Sequence, residues 1–376
     1  MTHVQWASKF SVRSTTIKVQ RTMFLLIIFS VVTVTSSNQL LSAVVIHRHG
    51  DRNPYTTFKT DLYSDESHWP EGFGQLTKRG IQRQYELGLW LNNRYASFLP
   101  SHYSPRHIRA VSTDVDRTLM SAEVTLAGLY PPLDNDKFNE NINWQPIPIH
   151  TAPRTEDPLL AMKKPCKKYK RIFSDLLKSP HITEINSINK NLYEFLSNKT
   201  GNDINDVYDV EDIYNALHSQ FLANKTLPDW TAEVYPDKMK AAVLLKFKLP
   251  CYTAELARLK TGLLMGEIVR NFRGFVEGTN MRKLLTFSGH DSTLAEVLTT
   301  LGAFNDEVPP YSSAILLELY ENGGEFHVNV FFKNSTGLHE LFVETCDFDC
   351  KFEDFERILR VMIIHSVEQW EKECEN

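Results

Sequence analysis

The stretch that decides the fold is Val44-Val45-Ile46-His47-Arg48-His49-Gly50-Asp51-Arg52-Asn53-Pro54. A β-branched apolar run with the composition of a buried strand stops at a cluster of ionisable side chains, and Gly50 and Pro54 turn the chain away. In open α/β sheets, ligands bind outside the carboxyl ends of the strands. Arg48 and Arg52 beside His49 suit an oxyanion with several acceptor oxygens, phosphate first among them. A strand ending in a polar turn is common, and a lone His or Arg there is usually solvated. Four ionisable groups from Arg48 to Arg52 point instead to a site.

The pattern recurs twice. The apolar run at 108–111 leads into Ser112-Thr113-Asp114-Val115-Asp116-Arg117-Thr118, and Lys283-Leu284-Leu285-Thr286-Phe287-Ser288 leads into Gly289-His290-Asp291-Ser292. Helices follow both, over 119–129 with Ser112, Thr113 and Asp114 as capping types, and over 293–301. Parallel pairing places all three clusters on one sheet edge, two of them at helix N-termini that favour anions. The expected fold is α/β, a central mostly parallel sheet flanked by helices.

The rest of the chain fits around that frame. Thr77 caps a helix in which Ile81, Tyr85, Leu87, Gly88 and Leu91 recur at helical spacing, ending near Tyr95. A proline- and asparagine-rich stretch at 131–158 marks a boundary. Residues 159–249 are rich in Lys, Asn, Asp and Ser, with Ile172, Leu176 and Leu177 at helical spacing. The α/β domain is therefore expected over 38–133 and 251–376, with a mostly helical cap inserted at 134–250. Further helices are expected over 254–276 and 352–370, and a hairpin, 312–320 with 325–332, around Asn322-Gly323-Gly324.

The net charge of −5, with no basic stripe interleaved with aromatics, gives no footprint for nucleic acid. Met23 to Val34 reads MFLLIIFSVVTV, follows Lys9, Arg13, Lys18 and Arg21, and precedes Thr35-Ser36-Ser37. The run falls short of the roughly 20 residues that span a bilayer. Residues 1–37 therefore read as a secretory signal with a leader, cleaved near Ser36 or Ser37, which leaves no stable membrane anchor. Met23 as the true start, or an uncleaved anchor, are the alternatives. The expected location is extracellular, ahead of the lysosomal lumen. Asn198, Asn224 and Asn334 open glycosylation motifs. Five cysteines in an oxidising compartment suggest two disulfides and one leftover thiol, with the pairing open. Cys346 and Cys350 resemble half a metal site, but no matching pair completes it, so a local disulfide is favoured there.

Collected at one edge, Arg48, Arg52 and Arg117 can hold a phosphoryl group, each charge-assisted bond contributing roughly 1.5–3 kcal/mol. An imidazole can attack phosphorus, and Asp291 can protonate the leaving alcohol. Arg48 to Pro54 matches the R-H-G-x-R-x-P signature of the histidine acid phosphatases, and Gly289-His290-Asp291 resembles their downstream His-Asp element. Ser112 to Ala122 looks like the stretch that supplies a further phosphate-binding arginine. Trp69-Pro70-Glu71-Gly72-Phe73-Gly74-Gln75-Leu76-Thr77 resembles the prostatic and lysosomal branch. The similarity runs from about Leu41 to the C-terminus and is weakest between Cys166 and Leu249; insect venom acid phosphatases are also similar.

The resemblance implies a phosphoglycerate-mutase-like α/β fold with a helical cap, and hydrolysis of phosphate monoesters, phosphoproteins included, without metal or cofactor. His49 would be the nucleophile that forms a phosphohistidine and Asp291 the acid. Arg48, Arg52, Arg117 and His290 would bind the phosphoryl oxygens. Family pairing gives Cys166–Cys374 and Cys346–Cys350, with Cys251 free, and relatives are often homodimers. Three arginines should keep His49 neutral in mild acid, and activity should fall as Asp291 ionises. Among related activities, the low cysteine count and shorter chain suit a general phosphatase better than a phytase.

Two other classes compete. His47-x-His49-x-Asp51 resembles a two-metal ligand run, but Arg48 and Arg52 set fixed positive charge against a metal. A secreted binding protein on the same fold would be marked by lost catalytic groups, and His49 and Asp291 are both present.

Overall fold

β1 (Gln39–Arg48) is the strand that the opening stretch predicts, and its burial is complete from Ala43 to Arg48. The computed structural model describes residues 38–279 and 281–375; the expected signal segment, 1–37, lies outside them. In chain order follow α1 (Lys78–Arg94), β2 (Ile108–Ser112), α2 (Asp116–Leu129), β3 (Ile149–His150), and the run of helices α3 (Lys167–Leu177), α4 (Pro180–Ile188), α5 (Lys190–Thr200), α6 (Val207–Leu222) and α7 (Asp237–Lys248). Then come α8 (Ala254–Val276), β4 (Leu284–Gly289), α9 (Asp291–Thr300), β5 (Ala314–Asn322), β6 (Glu325–Asn334), β7 (Gly337–Leu341), β8 (Cys350–Lys351), α10 (Phe352–Leu359) and α11 (Val367–Glu375). None of the described helices is long and apolar enough to cross a membrane.

The strands form one mixed sheet in the order β3-β2-β4-β1-β5-β6-β7, with β8 beside β6. The half that carries the three polar clusters is parallel: β1 and β2 both flank β4 in register, His47 opposite Ser288 and Ser112 opposite Ser288. β5 to β8 complete it with antiparallel pairs. Alternation along β1 divides the core. Val44 and Ile46 pack with Leu264, Ile268 and Phe272 of α8 and Leu294 of α9. Ala43 and Val45 pack with Leu87 and Leu91 of α1 and Leu126 of α2. Helices thus cover both faces, as strands apolar on both sides require.

The helical segment has an apolar core of its own, built around Leu196, Val210, Leu217 and Val243, which Phe58 and Ala295 join. It begins later than the cap boundary expected at 134, because β3 pairs with β2 and belongs to the sheet. Disulfide Cys166–Cys374 ties the start of α3 to α11; Cys346–Cys350 closes a short loop; Cys251 is free and buried.

Three expected boundaries change for identifiable reasons. The helix expected over 352–370 is two helices, since the chain between them packs backbone against backbone on α8. A Cβ at Gly266 would lie 2.1 Å from the Ile364 carbonyl oxygen, and Ile364 N–H donates to the Gly262 carbonyl. Val115, not Ser112, Thr113 or Asp114, occupies the N-cap of α2 and makes no side-chain cap bond. α9 starts at Asp291 rather than Thr293, with His290 at its N-cap.

Candidate active site

Register brings the clusters together. His49 N–H donates to the Gly289 carbonyl and Thr113 N–H to the Ser288 carbonyl, so the three strand ends finish level. The turn after β1 is fixed by close approach: a Cβ at Gly50 would lie 2.4 Å from the Gly80 carbonyl oxygen of α1, which only glycine allows. Gly50 N–H also donates to Ser121 Oγ of α2. Helices on either side thus clamp the segment that carries His49.

His49 is 1 % exposed. Its Nδ1–H donates to the Gly50 carbonyl at 2.8 Å, which leaves Nε2 unprotonated in the neutral ring. Burial, then Arg117, Arg48, His290 and Arg52, hold its pKa well below that of an ordinary histidine. Desolvation thus comes ahead of the arginines that sequence reasoning credits. The His290 ring lies 5.5 Å from it, centroid to centroid. Burial and then Arg117 take the pKa of His290 down to about 3. Its Nε2 stands 3.0 Å from Thr113 Oγ1, which also meets Thr118 Oγ1 at 2.8 Å.

Three arginines surround the imidazole. Arg48, 2 % exposed, donates Nη1–H to the Pro309 carbonyl and Nη2–H to Asp291 Oδ2 at 2.7 Å, while its guanidinium lies 3.8 Å over the Tyr311 ring. Arg52 reaches the Asn53 carbonyl at 3.1 Å and only loosely Asn215 Oδ1 and Ser219 Oγ, both at 3.5 Å. Arg117 is loose too, 3.5 Å from the Gly74 carbonyl, and burial and Arg52 push its pKa down to about 10. In all three, Nε is buried and has no partner among the described residues. Buried donors left unbonded are costly, and an anion in the cavity that Arg52 and Arg117 line is one acceptor that suits them.

Asp291, at the first position of α9, has a side chain 15 % exposed. Burial alone would raise its pKa, but Arg48, Lys246 and Arg52 outweigh it and hold the carboxyl well below the usual range. Every residue expected at the site is therefore brought to one place. Asp51, of the rival metal run, lies apart: Arg83 and Arg79 take its carboxylate toward α1. His47 is buried, and that burial takes its pKa down to about 4. His49 and Asp51 thus have separate partners, the Gly50 carbonyl and Arg83. Sequence reasoning missed Tyr311, whose ring is 5.6 Å from that of His49. The available signal was Pro309-Pro310 just ahead of β5.

Asn198 and Asn224 are exposed, whereas Asn334 is 7 % exposed and its Oδ1 accepts from Thr336 N–H and Oγ1–H.

A family model for the histidine phosphatase superfamily, branch 2, matches residues 39–333. The chain is 36% identical to lysosomal acid phosphatase of Xenopus laevis over 361 residues, 94% of this chain and 83% of that one. It is 34% identical to prostatic acid phosphatase of Bos taurus over 346 residues, covering 90% and 88%. Its fold is similar to that of apo phytase from Hafnia alvei, with TM-score 0.68 over 89% of this chain and 98% of that one. Identity there is 17%, so this likeness speaks for the fold alone. The chain belongs to branch 2 of the histidine phosphatase superfamily, among the acid phosphatases.

Proposed function

We propose that the protein is a secreted acid phosphatase that hydrolyses phosphate monoesters through a phosphohistidine at His49, without a metal. The observation that carries this reading is the neutral imidazole with Nδ1–H held by Gly50, set among three arginines whose buried Nε donors have no partner among the described residues. The arginines and His290 hold the phosphoryl oxygens while charge redistributes. His49 Nε2 attacks phosphorus, the bond to the alcohol oxygen breaks, and that oxygen takes a proton from Asp291. Water then attacks phosphorus and gives a proton back to Asp291; the P–N bond breaks and phosphate leaves.

Asp291 cannot arrive protonated in the empty site, where Arg48 holds it ionised. The proton comes in with the substrate, because a monoester has its second pKa near 6 and is monoanionic in mild acid. As the phosphoryl oxygens engage Arg48, its hold on Asp291 weakens and the carboxyl accepts that proton. Activity therefore falls above about pH 6 as the ester ionises, rather than as free Asp291 does.

The apolar run at 23–34 and the exposed Asn198 and Asn224 support secretion and glycosylation. The test is to quench the enzyme in alkali during turnover of a ³²P-labelled aryl phosphate with excess chelator. Label on the native chain and none on His49→Ala is the expected result. Turnover that stops on chelation, or full activity in alkali, overturns the reading.

A further inference from the structure

The catalytic cavity, about 380 Å³, is more cationic than phosphoryl transfer needs. Beyond Arg52 and Arg117 it is lined by Arg154, Lys163 and Lys246, against the carboxylates of Glu211 and Asp291. Lys246 is paired with Glu211 at 3.1 Å. Arg154 and Lys163 make no side-chain hydrogen bond or ion pair among the described residues. Five cations against two carboxylates leave an excess that a phosphoryl dianion does not cancel.

The backbone that carries Lys163 is fixed, while the side chains of Arg154 and Lys163 are exposed. The Asp157 carboxylate, buried beneath their loop, accepts from Leu159 N–H, Leu160 N–H and Ala161 N–H at 2.8–2.9 Å. Lys163 N–H donates to the Asp157 carbonyl, and Leu160 and Met162 insert into the main core. A pinned loop keeps the Lys163 backbone at the cavity, so that only the side chain is left to order on binding. Arg154 is close enough for its field to bear on both Arg117 and His290.

We propose that Arg154 and Lys163 form a second anion subsite at the mouth of the cavity, which selects monoesters whose leaving group carries an acidic group of its own. The inference rests on the phosphatase reading and names its substrate class. Phosphorus is engaged by His49 and the inner arginines, while a carboxylate or second phosphate on the alcohol meets the two outer cations.

The test compares kcat/KM for 4-carboxyphenyl phosphate and phenyl phosphate at pH 5 in the full secreted chain. The native enzyme is expected to prefer the carboxylated ester by about fivefold, the scale of an exposed ion pair, and to lose that preference as salt rises. The preference should fall to near parity in Arg154→Leu/Lys163→Met and be partly kept in Arg154→Lys. A native ratio near one, or an undiminished ratio in the double variant, overturns the subsite. Both esters inert with a folded native chain would instead overturn the phosphatase reading beneath it.

Discussion

Arg94 and Arg48 are both arginines that hold a carboxylate from a distant part of the chain, yet their surroundings differ. Arg94 Nε and Nη2 each meet one oxygen of the fully buried Glu318 at 2.7 Å. The hydroxyls of Tyr95 and Tyr320 donate to the same carboxylate at 2.8 and 2.7 Å. Both carboxylate oxygens are thus bonded twice over. Around His49, by contrast, the buried Nε donors of Arg48, Arg52 and Arg117 have no partner among the described residues, and cations outnumber carboxylates in the cavity. A closed cluster stabilises the fold; an open one costs stability and is preorganised for a ligand that completes it. Buried charge alone does not mark a site. Charge left unfinished does.

The largest effect should come from the centre of the open cluster. His49→Ala should lower kcat on aryl phosphates by about four orders of magnitude, since it removes the imidazole on which the phosphohistidine forms. Steady-state assay beside a thermal melt checks this, and a folded variant with appreciable turnover would assign the nucleophile elsewhere. Next is Asp291→Asn, expected to cost about 10²–10³ in kcat on alkyl monoesters and much less on 4-nitrophenyl phosphate, whose leaving group needs little protonation. A loss independent of the leaving group would make Asp291 a holder of Arg48 rather than the acid.

The closed cluster should answer differently. Glu318→Gln leaves Arg94 without its counter-charge and should destabilise the chain by about 3 kcal/mol, read from urea unfolding, with kcat/KM per folded molecule unchanged. A loss of activity without loss of stability would show that the two clusters are coupled.

How much of this was legible in the sequence follows from what is local. Arg48, His49 and Arg52 are neighbours in the chain, and the β-branched run before them carries them to the sheet edge, so the inner site could be read directly. Thr77 caps α1 through a bond to Gly80 N–H three residues on, again a local matter. Tyr311 and Lys163 reach the cavity region from loops and Arg154 from a single 3-10 turn, where single residues carry no period. The break before α11 was hidden because Ile363 and Ile364 continue the apolar rhythm, and only contact with Gly262 and Gly266 turns them out of a helix. Asp51, which enters only the rival metal run, shows the converse. It shares the His49 segment in sequence, but Arg79 and Arg83 of α1 turn it from the cavity.

The smallest predicted effect follows from the neutral histidines around the open cluster. His218 stacks between Tyr214 and Tyr311, its Nδ1 3.0 Å from the Tyr235 hydroxyl, and burial and Arg48 take its pKa down to about 4. The unfolded chain binds the proton near pH 6.5, so it takes up protons first as pH falls. The stability that a depressed histidine contributes is therefore whole above pH 6.5, is lost between 6.5 and about 4, and changes no further below that. Asp291, also depressed, acts only below its unfolded value of about 3.9 and leaves this window untouched. His218→Phe keeps the stack and removes one of these titrations. In phosphate-free urea unfolding at pH 7, 6 and 5, the variant should start less stable, because the Tyr235 hydroxyl loses its partner. Within the window its stability should then fall less steeply than that of the native chain, by up to about 1.4 kcal/mol per pH unit. Parallel curves would mean that His218 is protonated alike in folded and unfolded chains, and that the aromatic stack does not keep it neutral.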